Sequence, residues 1–346
     1  GTGLNKPLDE KSINLLNTLN SYNSTFKLAC DIPSGINNLG QIQNVAFEAD
    51  VTITMGALKT SLFSDIAKDY TGEIIVCDLG IQREVYETNS NKYLLEKSDM
   101  NLPFRNKKNS HKGSFGHLNV VSGTKKGASI ICAEAGFSFG AGLVTVVTHE
   151  ELNLPQHIMQ NHFISENCTA IAIGMGLGIF ENDEIKKILQ KDISLIIDAD
   201  LFYSKLILEV LEKEVVLTPH PKEFCALLKL CGIADITIEE LQNNRFLYVE
   251  NFCKKYPKPV LLLKGSNVII SQNGKVFINS FGTQALSKGG SGDVLSGLIG
   301  SLLAQNYEAL DATITASLAH SFSARLYDKN NYSLTPQDII DGIKKL

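Results

Sequence analysis

The sequence predicts an α/β fold built around a mainly parallel β-sheet that is flanked by helices. Short β-branched runs alternate with longer stretches of helical periodicity along the 346 residues, which is the pattern of repeated βαβ units. Two further runs, "NVIIS" and "KVFIN", flank Gln272, Asn273 and Gly274, whose turn chemistry predicts a β-hairpin. Since domains typically hold roughly 100 to 200 residues, a chain of this length predicts two of them.

Each predicted strand is a short run of apolar, often β-branched residues that ends at turn residues. In chain order these runs are residues 27–32, 51–55, 74–78, 118–122, 143–147, 170–173, 194–198, 215–217 and 260–263. Apolar residues at helical spacing predict a helix that starts near Ala128 and three more at 294–305, 310–327 and 336–344. The polar segment 83–110 lacks such a pattern and contains the predicted boundary. We therefore predict domains at 1–88 and 111–346, joined by a linker at 89–110.

The composition excludes several classes of protein. A net charge of -5 and a pI near 5.9 argue against a nucleic-acid-binding or anionic membrane-binding surface, and no apolar run reaches the roughly 18 residues of a membrane span. Seven cysteines without a C-x-x-C pair predict reduced, buried thiols in a cytoplasmic protein. H-E-x-x-H and zinc-type Cys/His clusters are absent from the sequence. The opening "GTGLNKP", which has no methionine, predicts a fragment or a processed chain.

The segment "GGSGD" carries the strongest chemical signal. Gly289, Gly290 and Gly292 remove Cβ atoms, so that backbone N–H groups and the start of the following helix can form a cradle for phosphate. Asp293 would repel a phosphate unless it takes a proton from a hydroxyl that attacks the phosphate. The alternative is that Asp293 is only the N-cap of the helix.

Other polar residues follow predicted strands at their carboxyl ends, where open α/β sheets bind ligands. His220 lies between two prolines in "LTPHPKEF", which favours ligand contact over an ordinary surface or core histidine. Lys264 and Gly265 end an apolar strand and suit a phosphate site, although a solvated lysine before a hairpin is an equal alternative. "IAIGMGLG" ends a further predicted strand in glycines, and "LIIDAD" ends another in carboxylates. A simple turn is the alternative for each of these two segments.

From about His111 onward the chain resembles the NAD(P)H-hydrate dehydratase family of the ribokinase-like superfamily. The resemblance rests on "KGSFGHLNVVSG", "GMGLG", "DAD", "TPHPKEF", "LKGSNVII" and "GGSGDVLSG", which occur in the order of the family. It implies a ribokinase-like fold and an enzyme that restores NADH or NADPH from the hydrates NADHX and NADPHX. The added hydroxyl is phosphorylated by ADP or ATP, with Mg²⁺ expected, and phosphate then leaves.

The resemblance also implies residue roles. Asp293 would be the catalytic base and would contact the hydrated substrate. Ala128, Gly176, Gly178 and His220 would bind that substrate. The predicted nucleotide-binding residues are Lys264, Gly265, Ser266, Asn267, Val268, Gly289, Gly290 and Gly292. The chain departs from the family at Ser287 and Lys288, where a small residue and a threonine are expected, and the turn before Ala128 is shorter.

Residues 1 to about 88 resemble the carboxyl-terminal half of the NAD(P)H-hydrate epimerase family, through "GTGLNKP", "DIPSG", "ADVTITMGALK" and "GEIIVCDLGI". The resemblance implies a partial Rossmann-like domain, with a K⁺ ion bound by Ser34. The implied substrate-binding residues are Gly1, Thr2, Gly3, Leu4, Asn5, Lys6, Pro7 and Asp31, with Lys6 in the place of an arginine. Without the earlier half we expect exposed apolar strand edges, no epimerase activity from this chain alone, and a longer native protein.

Two alternatives remain open at the level of sequence. A ribokinase-like kinase that phosphorylates a small-molecule hydroxyl shares the loop chemistry, although "TPHPKEF" with "DAD" and the epimerase-like segment favour the dehydratase. A catalytically inactive nucleotide sensor is the other alternative, and an acid beside bound phosphate argues against it. We further expect a homo-oligomer whose partners are small molecules.

Overall fold

The computed structural model describes residues 6–87, 89–178 and 182–346. Contacts divide the chain into two compact units. The first contains Gly1–Tyr93 together with Thr237–Tyr248, and the second contains Leu94–Ile236 and Val249–Leu346. No described helix is long and apolar enough to cross a membrane.

The first unit contains a small parallel sheet. Its described elements are α1 (Glu10–Asn20), β1 (Leu28–Cys30), β2 (Val51–Met55), α2 (Lys68–Thr71), β3 (Glu73–Cys77) and α6 (Ile238–Asn243). Strand β2 lies between β1 and β3, and both pairings are parallel. The segment around α6 belongs to this unit because the buried Arg245 forms an ion pair with Asp65.

One face of this small sheet is apolar and incompletely covered. The strand register places Leu28, Cys30, Met55 and Ile75 on the same side of the sheet. Leu28 and Ile75 are each 45% exposed, and Met55 is 36% exposed. Parallel sheets normally bury both faces, so this face is unusually exposed. Cys30 is exposed for the same reason, and the prediction that it is buried is wrong. The expectation of exposed apolar strand edges concerns the unpaired backbone of the outer strands rather than this face, and it stays a prediction.

The second unit is built on a large mixed sheet. Its strands are β4 (Lys92–Leu94, of which only Leu94 falls in the second unit), β5 (His117–Val121), β6 (Leu143–Val147), β7 (Met159–Asn161), β8 (Ala170–Ile173), β9 (Ser194–Ile197), β10 (Val216–Leu217), β11 (Val260–Leu263), β12 (Val268–Gln272) and β13 (Lys275–Asn279). Among the described residues their spatial order is β4-β13-β12-β11-β10-β9-β8-β5-β6-β7, parallel from β11 through β7. The β12–β13 hairpin is confirmed, and its turn uses positive φ at Asn273 and Gly274.

Helices cover the sheet of the second unit. They are α3 (Lys126–Ser138), α4 (Asn182–Leu189), α5 (Pro221–Leu230), α7 (Arg245–Lys255, which starts in the first unit), α8 (Ser291–Ala304), α9 (Ala309–Arg325) and α10 (Pro336–Ile343). Every residue of β5, β8 and β11 is buried, as expected for central strands of a sheet covered on both faces. The fold class predicted from the sequence is confirmed.

Helices α3 and α8 pack with their backbones in unusually close contact. A Cβ atom added at Gly297 of α8 would stand 2.2 Å from the carbonyl oxygen of Cys132 in α3. A side chain there is therefore excluded unless the two helices separate. Both helices begin at the carboxyl edge of the sheet, and this contact lies six residues after the first residue of each helix.

The edges of the large sheet differ from the sequence-based expectation. Strands β4 and β7 were not predicted, because each has three residues and neither shows a β-branched run. Strand β4 and the buried Leu95 fall within the predicted linker, and the second compact unit begins at Leu94 rather than at residue 111. The functional domain boundaries stay a prediction.

Candidate active site

The glycine loop leads directly into α8 at the carboxyl edge of the sheet. Gly290 is the N-cap residue, with a left-handed φ of 88°, and the helix begins at Ser291. Only glycine adopts this conformation without strain. Asp293 is the third residue of the helix, and its side chain makes no capping hydrogen bond. The alternative that Asp293 is merely an N-cap is therefore wrong.

The carboxyl group of Asp293 has an altered acidity. Burial raises the pKa of Asp293 from 3.8 to about 6, the negative charge of Asp198 raises this pKa further, and the positive charge of Lys264 opposes both. A pKa near 6 suits a general base, because the carboxylate is mostly ionised at neutral pH yet binds a proton far better than an ordinary aspartate.

Lys264 lies beside this loop and forms a buried ion pair. Its Nζ is 2.6 Å from Oδ1 of Asp198, and the Asp198 side chain is only 3% exposed. Ser296 Oγ donates to the other oxygen of Asp198 over 2.8 Å. A Cβ atom at Gly292 would stand 3.3 Å from the Lys264 Nζ, so the ammonium group directly borders the glycine loop. The alternative of a solvated lysine is wrong.

The segment after β9 connects this ion pair to a second glycine turn. Ala199 has a positive φ of 48°, which is strained for an alanine. Asp200 accepts a hydrogen bond of 2.8 Å from the N–H of Gly178. A Cβ atom at Gly176 would lie 3.3 Å from the Ala128 side chain. Three of the predicted substrate-binding residues, Ala128, Gly176 and Gly178, thus lie close together.

His220 is the N-cap of α5. Its Nδ1 accepts from the N–H groups of Lys222 and Glu223, and Glu223 accepts in return from the His220 N–H over 2.8 Å. The imidazole Nε2 also lies 3.1 Å from the Glu223 carboxyl group. The His220 side chain is 46% exposed, so the capped ring still presents a face to an incoming ligand.

The predicted nucleotide residues Lys264 to Val268 directly follow β11 at the same edge of the sheet, and Val268 is the first residue of β12. Gly265 and Ser266 are exposed, whereas Asn267 is buried. Val268 pairs with Asn279, the last residue of β13. Beyond Asn279 lies a pocket of about 360 Å³, lined by residues 282–285 on one side and by Arg325, Lys329 and Asn331 on the other.

Lys288 precedes the glycine loop and is engaged elsewhere. Its Nζ donates to the carbonyl oxygen of Tyr332 over 2.6 Å, next to the pocket residue Asn331. Lys288 therefore joins the glycine loop to the wall of this pocket.

Two side chains around the loop were not predicted from the sequence as site residues. Ser296 follows Asp293 by one helical turn and bonds to Asp198. His320 of α9 is buried and contacts Ser291. Both look like ordinary helix residues in the sequence, and only the fold brings them to the site.

The first unit carries a separate set of predicted residues. Asp31 has a positive φ of 72° and accepts hydrogen bonds from Lys59 Nζ over 2.6 Å and from the Met55 N–H over 3.1 Å. Burial favours a higher pKa for Asp31, but the bonds from Lys59 and Met55 outweigh it and lower the pKa. Ser34, Lys6 and Pro7 are exposed. The predictions for Gly1 to Asn5 lie outside the described residues.

Metal binding has no preformed centre in the described part of the chain. Among those residues there is no group of three or more His, Cys, Asp or Glu side chains that could hold a metal ion. Mg²⁺ commonly uses few protein ligands beside nucleotide phosphates, so the Mg²⁺ expected from the resemblance is one carried mainly by the nucleotide.

The fold and this site define an α/β protein of the ribokinase-like class, with a glycine loop and an acid at the start of a helix. A ribokinase-like superfamily protein from Enterococcus faecalis superimposes with a TM-score of 0.62 at 25% identity, over 75% of this chain and 96% of that one. An ADP/ATP-dependent NAD(P)H-hydrate dehydratase from Bacillus subtilis, co-crystallised with ATP/Mg²⁺, gives a TM-score of 0.60 at 26% identity, over 70% of this chain and 92% of that one.

The chain belongs to the NAD(P)H-hydrate dehydratase family, whose sequence profile matches residues 118–345. A second profile, YjeF-related protein N-terminus, matches residues 1–61. A bifunctional NAD(P)H-hydrate repair enzyme from Helicobacter pylori is 49% identical over 333 residues, which cover 94% of this chain and 70% of that protein. The protein of the same name from Coxiella burnetii is 31% identical, over 94% of this chain and 69% of that protein.

Proposed function

We propose that the second unit dehydrates NADHX or NADPHX to NADH or NADPH at the expense of ADP or ATP. The observation that carries this proposal is Asp293, a partly buried acid of raised pKa that borders a glycine loop and Lys264. An acid in a phosphate cradle weakens simple binding, whereas it serves a reaction in which a hydroxyl group must lose its proton. Because the chain belongs to the NAD(P)H-hydrate dehydratase family, we infer that this hydroxyl group is the one on the hydrated nicotinamide ring.

The reaction balances in two steps. The Asp293 carboxylate accepts the proton of the ring hydroxyl while the hydroxyl oxygen attacks the terminal phosphorus of ATP or ADP. This attack releases ADP from ATP, or AMP from ADP. The carbon–oxygen bond of the phosphate ester then breaks, the adjacent carbon loses a proton, and the ring double bond forms as inorganic phosphate leaves. Phosphate is a far better leaving group than hydroxide, so the nucleotide drives the loss of water.

The residues of the loop have distinct roles in this proposal. Gly289, Gly290 and Gly292 present N–H groups to the transferring phosphate, helped by the start of α8. Lys264 neutralises charge on that phosphate. Bound Mg²⁺ would supply further neutralisation of the nucleotide phosphates.

The other proposed binding residues lie near the carboxyl ends of the strands. Ala128, Gly176, Gly178 and His220 are proposed to hold the hydrated dinucleotide. Lys264, Gly265, Ser266, Asn267 and Val268 are proposed to contact the nucleotide. The pocket lined by Arg325 and Lys329 follows the end of β13, next to Val268, and its position supports binding of the nucleotide's base and ribose there.

The test incubates the chain with NADHX and either ADP or ATP and follows the return of reduced-nicotinamide absorbance. We expect dehydration to require a nucleotide, and Asp293→Asn to lower kcat by about 10²- to 10⁴-fold. The matched control is Asp311→Asn, because Asp311 is also the third residue of its helix but is exposed. Absence of nucleotide-dependent dehydration, or near-normal turnover by Asp293→Asn, would contradict the proposal.

For the first unit we propose an NAD(P)H-hydrate epimerase part that uses Asp31 in substrate binding and Ser34 in a K⁺ site. The profile match at residues 1–61 and the two bonds that hold Asp31 ionised support this role. The uncovered face with Leu28 and Ile75 supports the prediction that this chain alone does not interconvert the R and S hydrates. Chromatographic detection of R-to-S conversion by the chain alone would contradict it. A homo-oligomer and a cytoplasmic location stay predictions.

A further inference from the structure

His320 is a buried histidine that the proposed reaction does not use. It lies on α9, is 8% exposed, and its Nε2 is 3.0 Å from the carbonyl oxygen and 3.2 Å from the Oγ of Ser291. Ser291 is the middle residue of "GGSGD" and the first residue of α8. An imidazole from another helix thus contacts two oxygens of the phosphate loop.

The two contacts determine where the imidazole carries its hydrogen. Burial lowers the pKa of His320 to about 4, so the ring is neutral at pH 7 and has one N–H group. The Ser291 carbonyl oxygen can only accept a hydrogen bond, and at 3.0 Å it requires the hydrogen on Nε2. Because Nε2 then has no lone pair to offer, the Ser291 hydroxyl can only accept from it.

The hydrogen of the Ser291 hydroxyl is consequently available to another acceptor. Among the described residues, His320 is the hydrogen-bond partner found for Ser291 Oγ. The hydroxyl lies between Gly290 and Gly292, where the backbone N–H groups favour an anion. Lys264 Nζ borders the same position through Gly292. A phosphate oxygen held by these groups would be the natural acceptor.

We propose that His320 is a positioning residue that holds Ser291 so that its hydroxyl donates a hydrogen bond to the transferring phosphate. The inference rests on the proposed function, since it assigns the loop to a nucleotide phosphate. The bond to the Ser291 carbonyl keeps the imidazole hydrogen on Nε2, and the contact with Oγ orients the hydroxyl hydrogen away from the imidazole. His320 therefore affects phosphate only through Ser291.

The first test is a double-mutant cycle on nucleotide affinity, measured by calorimetry with MgATP. Ser291→Ala removes the hydroxyl but keeps the carbonyl, and His320→Leu removes the donor. We expect each single variant to weaken binding about tenfold, the size of one hydrogen bond to a charged group. The double variant should bind no more weakly than either single variant. His320→Gln, which can still donate to the carbonyl, should recover most of the affinity.

His117 is the matched control for changing a buried histidine. It is 4% exposed and bonds to Thr145 and Asn167, but it lies at the start of β5, the opposite edge of the sheet from the loop. We expect His117→Gln to leave the affinity for MgATP within twofold of the unmodified chain. If His117→Gln weakens MgATP binding as much as His320→Leu does, the loss reflects general destabilisation, and the proposal is overturned.

The second test reads the tautomer directly and needs no activity. In protein labelled with ¹⁵N-histidine, the His320 ring at pH 7 should show a protonated Nε2 and a bare Nδ1, with the signal assigned by its loss in His320→Gln. A protonated Nδ1, or multiplicative losses in the Ser291 and His320 cycle, would overturn the proposal. If the unmodified chain binds MgATP but does not dehydrate NADHX, the proposed function fails while both tests still decide the role of His320.

Discussion

Replacing the proposed catalytic base should make the protein more stable at neutral pH. Asp293 has a pKa of about 6 in the folded chain against 3.8 as its ordinary value. Between these values the folded state binds a proton that the unfolded state has released, so the free energy of unfolding falls as pH rises through this window. The difference of roughly two pKa units corresponds to a free energy of unfolding that is about 3 kcal/mol lower above pH 6 than below pH 3.8.

Asp293→Asn removes this penalty because asparagine is neutral at every pH. The difference in unfolding free energy between the variant and the unmodified chain should therefore grow by about 2 kcal/mol in favour of the variant as pH rises from 4.5 to 8, from the linkage of pKa to stability. Urea unfolding followed by circular dichroism measures this, since the chain has no tryptophan. Asp311→Asn changes an exposed acid at the same helix position and should show no such gain. Equal pH profiles for the two variants would refute the reasoning.

Three further predictions concern the same site. The kcat/KM for dehydration should fall as pH drops through about 6, the pKa of Asp293. Asp198→Asn should shift the midpoint of this pH profile lower, and it should reduce kcat/KM about tenfold or more because Lys264 loses its ion-pair partner. An unchanged pH–rate profile would contradict this prediction. Gly290→Ala should weaken MgATP binding measured by calorimetry, because alanine disfavours the observed φ of 88°, and unchanged affinity would argue against the cradle. His220→Ala should lose about 1 kcal/mol of stability in thermal unfolding while His220→Asn keeps the cap, and both should raise KM for NADHX if the ring contacts substrate.

The sequence predicts the acid and the glycine loop because both are local features. Gly290 and Asp293 lie within four residues of each other, and their conformations follow from glycine freedom and helix initiation. The structure places Gly290, not Asp293, at the N-cap of α8, and the catalytic role of Asp293 stays a prediction. The strand positions were predictable because central strands of a covered parallel sheet are almost continuously apolar.

The partners of the site residues could not be predicted because they are distant in the chain. Asp198 and Lys264 pair across 66 residues, and His320 reaches Ser291 across 29. Neither pairing leaves a periodic signal in the sequence. The short strand β7 and the strand β4 were missed for another reason, since three-residue edge strands gain their structure from pairing rather than from local propensity.

The tight packing of α3 against α8 at Gly297 has a consequence for how the enzyme handles two ligands at once. Ala128 stands in the first turn of α3, and Asp293 stands in the first turn of α8. Because the two backbones are in contact at Gly297, we expect the first turns of α3 and α8 to keep a constant spacing, and with them the proposed substrate contact at Ala128 and the proposed base Asp293. Enlargement of Gly297 should therefore misalign the proposed reacting groups without changing any residue proposed to contact a ligand.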